Sequence, residues 1–204
     1  MRGRTLAELA AAYWAYFVNG VLNSIIGPAL LGMVRTFHID LAMAGAIVTA
    51  QFIGYVPGAL GSGLAAERWG YRQVLVLAMV LTAAGAIGIA LAGAWVVALL
   101  LTPVAGIGFG ISDSLCNAVV AHAVREAHGV ALNLLHMFFG LGALAGPLLA
   151  GMLLSSQVGW RGVFAVTGAL AGVAALSFLL APLPARSRRE ATAQQTPSIA
   201  RPAA

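Results

Sequence analysis

A single carboxylate lies deep inside a long apolar stretch of this sequence. Asp113 follows a glycine-rich run over residues 106–112 and is the only acidic residue in the interior of any such stretch. A charged side chain in the middle of a bilayer costs about 3 kcal/mol or more unless it faces a cavity or a partner. We therefore expect Asp113 to carry a proton and to accept a hydrogen bond from a solute hydroxyl. The alternative is a structural carboxylate that is hydrogen-bonded to Ser112, Ser114 or a neighbouring helix.

Side-chain amides and one histidine lie in the same kind of apolar stretch. The set consists of Asn19, Asn23, Gln51, Asn117, Asn133 and His136. Asn117 follows Asp113 by four residues, and the first two asparagines are also four apart, so each pair shares one face of a helix. These groups could bind solute hydroxyls around a central cavity, and His136 could relay protons. They could instead form hydrogen bonds between helices, with the histidine as a packed polar group.

Six long apolar runs must position these side chains. The chain is 61% hydrophobic and only 8% charged, with a mean hydropathy of +0.94, whereas soluble domains have about 25% charged residues. A spanning helix needs about 20 mostly apolar residues. The runs that qualify are roughly 9–34, 41–66, 73–92, 94–120, 130–156 and 161–183. The sequence therefore predicts an all-α membrane protein with six transmembrane helices, whose first partner is the lipid bilayer.

The eleven arginines are distributed unevenly among the connections, and the chain has no lysine. Nine lie in the N-terminal segment, the connections after the second and fourth spans, and the C-terminal tail, whereas two lie on the other side. Positive charge is concentrated on the cytoplasmic side of membrane proteins. We therefore expect a plasma or inner membrane protein with both termini in the cytoplasm. This orientation explains the net charge of +5 better than nucleic-acid binding does.

The predicted organisation has three parts. Residues 1–8 form a cytoplasmic N-terminus, residues 9–183 form the transmembrane domain, and residues 184–204 form a disordered cytoplasmic tail. The aromatic residues near the start of the first span could anchor it at the membrane interface or stack on a sugar. They are Tyr13, Trp14, Tyr16 and Phe17. We find no motif for an enzyme, a cofactor or a metal.

The second and fifth spans resemble each other, which suggests an internal repeat. Residues 51–54 align with residues 137–140, and each span is followed by a Gly-aromatic-Arg corner, at 70–72 and at 159–161. With six antiparallel spans, these corners lie on opposite sides of the membrane, as a three-plus-three inverted repeat requires. The alternative is chance similarity between glycine-rich helices.

The connection after the second span carries a more specific motif. Residues 63–75 read GLAAERWGYRQVL, and the defining positions are Gly63, Glu67, Arg68, Gly70 and Arg72. This resembles the loop signature of the major facilitator superfamily, G-x-L-A-D-R-x-G-R-[RK]-x-x-L, with Glu in place of Asp and Tyr in place of the first Arg after the glycine. Gly63 would let two helices approach closely, and the charged residues would hold a gate closed. The alternative is an ordinary positively charged turn.

The resemblance implies one half of a transporter that works by alternating access. A full-length member has twelve spans, and this chain resembles the amino-terminal six. Residues 106–113 and 133–143 resemble the branch that contains the fucose permease and related sugar–proton symporters, in which an acidic residue of the fourth span, here Asp113, serves the proton and the substrate. The resemblance thus implies proton-coupled transport of a small, sugar-like solute. A six-span chain would need a homodimer or a separate second half, or would be a truncated product.

Two other functions remain open from the sequence. Residues 142–151 read GALAGPLLAG and loosely resemble the fifth-span signature of drug–proton antiporters, G-x-x-x-G-P-x-x-G-G, with Ala150 as a departure. A non-transporting membrane scaffold or receptor is the other possibility. A scaffold would have no need of Asp113 and several amides inside its spans, so this polarity favours a transporter.

Overall fold

The computed structural model describes residues 2–124 and 127–183, with side chains from residue 5 onward. These ranges contain six α-helices: α1 (Arg2–Phe37), α2 (Leu41–Trp69), α3 (Tyr71–Leu91), α4 (Trp95–Ala123), α5 (His128–Leu154) and α6 (Gly159–Leu180). Each is long and apolar enough to cross a membrane, which confirms the predicted architecture. The helices agree with the predicted spans to within a few residues, except that α1 begins at Arg2. The tail predicted over 184–204 lies outside the described residues.

Short polar and glycine signals set the helix boundaries. Asp40 precedes α2, and its carboxylate accepts a hydrogen bond from the Met43 backbone N–H at 2.6 Å, as an N-cap residue does. Gly70 joins α2 to α3 with φ 85°, and Gly159 begins α6 with φ 56°. Residues with a side chain rarely adopt such angles. Both Gly-aromatic-Arg corners therefore need a glycine with a positive φ, although Gly70 alone joins two helices and Gly159 follows a four-residue connection.

The helices pack as two equivalent sets of three. Helix α2 lies along α4, and α5 lies along α1 in the same manner. Helix α3 packs against α4 as α6 packs against α1, and α3 and α6 pack against each other. If α1, α2 and α3 are replaced by α4, α5 and α6, and the reverse, each helix keeps the same neighbours. Equivalent helices, such as α1 and α4, are three spans apart and therefore run in opposite directions. This pattern is the predicted three-plus-three inverted repeat.

Glycines bring the backbones of the paired helices together. A Cβ atom at Gly54 of α2 would overlap the carbonyl oxygen of Pro103 of α4, and one at Gly142 of α5 would overlap that of Phe17 of α1. In contrast, no described atom lies within 4 Å of a Cβ at Gly140. Gly142 is therefore the counterpart of Gly54, two residues beyond the glycine that the sequence comparison aligned with it.

Two apolar clusters fill the interior, one toward each end of the bundle. We call the end that carries the Gly70 corner the motif end, and the end that carries the Gly159 corner the opposite end. Along α1, buried apolar residues up to position 18 belong to the cluster at the motif end, and those from position 21 onward belong to the other. Asn19, which is 1% exposed, lies where the two clusters meet. The polar residues described next are positioned at this junction.

Candidate functional site

Two tyrosine hydroxyls from different helices hold the Asp113 carboxylate. Tyr16 of α1 donates to Oδ1 at 2.8 Å, and Tyr55 of α2 donates to Oδ2 at 2.7 Å. The recorded hydrogen-bond partners of Asp113 among the described residues are hydroxyl and amide groups rather than basic side chains. Of the alternative structural partners, Ser112 and Ser114 do not bond to this carboxylate, whereas two neighbouring helices do. Asp113 is half-buried and thus joins three helices through neutral hydrogen bonds.

Tyr16 is the most enclosed member of this group, with no solvent exposure. Its hydroxyl lies 2.9 Å from the backbone oxygen of Asp113 in addition to the carboxylate, and it accepts a hydrogen bond from Nδ2 of Asn117. Asn117 also donates to the Asp113 backbone oxygen at 2.8 Å. Of the two alternatives for Tyr16, an interface anchor does not fit, because its hydroxyl is used inside the bundle. Tyr13 likewise contacts α5, where its hydroxyl donates to the backbone oxygen of Ala131 at 3.3 Å.

Sequence reasoning did not identify Tyr55 as a site residue. Its ring is half-buried and lies between Phe52 and Phe109, with centroid distances of 5.9 Å and 5.0 Å. A tyrosine in the middle of an apolar span needs a partner for its hydroxyl, and this was the available signal. The identity of the partner depends on how α2 packs on α4, which the sequence does not state.

A second polar contact joins α1 to α4 beside the carboxylate. Ser112 donates its only hydroxyl proton to the backbone oxygen of Phe109 at 3.0 Å, so it accepts from Nδ2 of Asn19 at 2.8 Å. The Asn19 amide oxygen is buried and has no partner among the described residues, and the same is true of the Gln51 amide nitrogen. Buried polar atoms are usually satisfied by protein or water. Each of these amides therefore has one enclosed atom that water or a solute could reach only if the neighbouring helices moved apart.

The remaining predicted residues lie on the outer face of the six-helix unit. Asn23, Asn133 and His136 are exposed. The His136 ring packs edge-on against Tyr16, with the centroids 5.6 Å apart. The structure thus gathers Asp113 with Asn117 and places Asn19 beside them. Gln51 is buried without a recorded hydrogen bond to this group.

The loop motif lies at the motif end with its charged side chains exposed. These are Glu67, Arg68 and Arg72. Gly70 is buried, and its N–H donates to the backbone oxygen of Ala66 at 2.8 Å, which closes the corner. No described atom lies within 4 Å of a Cβ at Gly63. The close helix contact that we expected at Gly63 is therefore not made within the described part of this chain.

The corner at the opposite end is packed inside the bundle. Trp160 is 4% exposed and donates from Nε1 to the Thr36 hydroxyl at 2.9 Å, and its ring centroid lies 5.5 Å from that of Phe37. Arg161 donates to the backbone oxygen of Ala90 at 2.6 Å, and its guanidinium lies 4.6 Å from the Trp160 ring centroid. These contacts join α1, α3 and α6.

The chain is similar to proteins that are named as transporters. It is 25% identical over 127 residues to the sodium-dependent glucose transporter 1 of Xenopus laevis, covering 62% of this chain and 26% of that protein. It is 27% identical over 171 residues to the 3-(3-hydroxy-phenyl)propionate transporter of Escherichia coli K12, covering 81% of this chain and 41% of that one. The chain thus spans less than half the length of these relatives.

A solved structure shares the fold of this chain. The inward-open xylose transporter XylE from E. coli superposes with a TM-score of 0.81 at 19% identity, over 94% of this chain and 50% of that protein. The Major Facilitator Superfamily model matches residues 12–203. This match confirms the family indicated by the loop motif and agrees with the prediction of a transporter-type protein rather than an enzyme. The chain belongs to the Major Facilitator Superfamily.

Proposed function

We propose that this chain is one half of a secondary transporter that moves a small polar solute together with protons. The observation that carries the proposal is the Asp113 carboxylate, which lies inside a spanning helix and is bound by two hydroxyls. A carboxylate at this depth without a basic partner can bind and release a proton. The hydroxyl donors around it occupy positions that solute hydroxyls can take. Alternating access would then expose this group to each side of the membrane in turn.

We infer a solute with hydroxyl groups, and a sugar-like molecule is our first choice. The fold shared with a xylose transporter and the similarity to a glucose transporter support this choice. A hydroxylated aromatic acid is the second candidate, because a relative is named for such a solute and because Phe52 is 51% exposed next to Tyr55. Aromatic faces can pack against either kind of ring. The unpaired atoms of Asn19 and Gln51 would supply further hydrogen bonds.

The solute cavity needs a second wall. Asn23, Asn133 and His136 are exposed on the six-helix unit, and lipid tails offer no hydrogen-bond partner to such groups. Helices α2 and α5 are the least buried of the six. We propose that a second six-helix unit covers this face and encloses water and solute.

We also propose how the chain is oriented in the membrane and which residues form a gate. Both termini would lie in the cytoplasm of a cell whose plasma or inner membrane holds the protein, with 1–8 and 184–204 as cytoplasmic segments. The motif end would then face the cytoplasm, and Glu67, Arg68 and Arg72 would pair with the second unit when the gate is closed. Reporter fusions at each terminus test the orientation, and native mass spectrometry in mild detergent identifies the second unit.

Vesicle transport tests the function directly. Vesicles that hold the chain in its native assembly and a pH-sensitive dye would receive xylose, glucose or 3-(3-hydroxyphenyl)propionate. We expect internal acidification that depends on one of these solutes, that is lost in Asp113→Asn and that remains in the control Asp40→Asn. Uptake driven by sodium with no proton movement would contradict proton coupling. Expulsion of drugs without uptake would favour the antiporter, and a chain that binds no solute would favour the scaffold.

A further inference from the structure

The two oxygens of the Asp113 carboxylate have different surroundings. Oδ1 faces Tyr16, which is fully buried, and Oδ2 faces Tyr55, which is half-buried. The Tyr16 hydroxyl has a second acceptor within reach, the backbone oxygen of Asp113 at 2.9 Å. No second acceptor is recorded for the Tyr55 hydroxyl among the described residues. The two tyrosines are therefore not equivalent partners for a proton that arrives on the carboxylate.

A hydroxyl has one proton to donate and two lone pairs to accept with. When Asp113 is ionised, Tyr16 donates to Oδ1 and accepts from Asn117. When a proton binds Oδ1, Tyr16 can turn its own proton to the backbone oxygen of Asp113 and accept the carboxyl proton on its second lone pair. The Asp113 backbone oxygen already accepts from Nδ2 of Asn117, so Tyr16 and Asn117 share this acceptor, and Tyr55 continues to donate to Oδ2. The proton enters from outside and no other bond is formed or broken.

Placing the proton on Oδ2 gives a poorer arrangement. Tyr55 would have to accept that proton, and its own hydroxyl proton would then need water or solute as an acceptor, because no second protein acceptor is found for it among the described residues. The Tyr16 hydroxyl, in contrast, already has the backbone oxygen of Asp113 within reach. We therefore propose, building on the function proposed above, that the transported proton resides on Oδ1 and that Tyr16 is the positioning residue that accepts it. Tyr55 acts as a donor to Oδ2 in both protonation states.

Other titratable groups lie near this carboxylate. Cys116 is three residues away on α4 and is fully buried, and His136 of α5 packs against the Tyr16 ring. The titratable residues of α3, Tyr71 and Arg72, belong to its first turn, at the motif end. His136 is thus the group whose titration must be separated from that of Asp113, and His136→Gln serves as the control.

Infrared spectroscopy can locate the proton because the chain contains only two aspartates, Asp40 and Asp113. The Asp40→Asn variant, in which asparagine can still cap α2, leaves Asp113 as the sole aspartate. Aspartate labelled with carbon-13 at the side-chain carboxyl then gives one isotope-shifted carboxyl band in the full chain in lipid nanodiscs at acidic pH. That band should vanish in Asp113→Asn and persist in His136→Gln.

The carbonyl stretch reports which oxygen lacks the proton. If the proton is on Oδ1, the carbonyl oxygen is Oδ2, so Tyr55→Phe removes its hydrogen bond and moves the band to higher wavenumber. Tyr16→Phe should leave that carbonyl band in place while abolishing most proton-driven uptake. A shift to higher wavenumber in Tyr16→Phe but not in Tyr55→Phe would overturn the assignment, and would leave Asp113 itself as the proton carrier. Should Tyr16→Phe fail to fold, the Tyr55→Phe spectrum alone decides, because an unshifted band there also overturns the assignment.

Discussion

The two Gly-aromatic-Arg corners occupy equivalent places in the repeat but differ in what surrounds them. Arg161 is half-buried, donates to the Ala90 carbonyl and lies over an aromatic ring. Arg72, its counterpart, is exposed at the motif end. The arginine thus stabilises the six-helix unit at one corner and presents charge at the other. The difference leaves Arg72 available for contacts outside the described residues, whereas Arg161 is used within them.

The largest expected effect comes from the aromatic residue of the packed corner. Trp160→Ala removes a side chain that is 4% exposed together with its hydrogen bond to Thr36, and a buried Trp→Ala change costs about 3–5 kcal/mol. Tyr71→Ala, the matching change at the motif end, removes a side chain that is only half-buried and should cost about 1 kcal/mol. Thermal unfolding in detergent, followed by circular dichroism, measures both. Equal losses would show that the two ends are packed alike.

A smaller loss of stability is expected from the arginine of the packed corner. Arg161→Gln removes a charged hydrogen-bond donor and a cation–π contact, which together are worth about 2 kcal/mol. Arg72→Gln should leave the unfolding midpoint unchanged but should alter the transport rate of the complete assembly, because we propose that its partners lie in a second unit. If Arg72→Gln unfolds the isolated chain as readily as Arg161→Gln does, the motif end is stabilised from within and the comparison fails.

The smallest effect is expected from the glycine of the packed corner. Gly159→Ala forces a residue with a Cβ to a φ of 56°, at a cost of about 1 kcal/mol. Gly70→Ala should cost more, about 1–3 kcal/mol, because φ 85° with ψ 152° is a region that almost only glycine occupies. Thermal unfolding of the two variants measures the difference, and a larger loss in Gly159→Ala than in Gly70→Ala would contradict this expectation.

The architecture could be predicted well because each membrane span is recognisable from its own apolar residues, without knowledge of its neighbours. The six runs, the inverted repeat and the loop motif all depend on local composition and spacing. Asp113 was recognisable for the same reason, as an acidic residue where lipid would make it costly. The family match then confirmed the motif.

The partners of Asp113 could not be predicted from the sequence, because they lie on other helices and depend on how those helices pack against α4. The place of Tyr16 near the start of a span left it open between an interface anchor and a residue that stacks on a sugar, and Tyr55 follows Gln51 by four residues without a signal for its own partner. The glycines that bring α2 onto α4 decide which hydroxyl reaches Oδ2. Gly140 and Gly142 show the same limit, because spacing alone did not reveal which of them faces α1.

The central claim is that Asp113 couples solute movement to protons, and its most direct test compares two transport modes in one variant. Proton-driven uptake requires the carboxyl to gain and lose a proton, whereas exchange of labelled for unlabelled solute across a vesicle membrane at equal pH requires only that the loaded carrier reorients. Asn at position 113 mimics the protonated, uncharged side chain. We predict that Asp113→Asn loses proton-driven uptake and retains exchange, while Asp40→Asn retains both. Undiminished proton-driven uptake in Asp113→Asn would contradict the account.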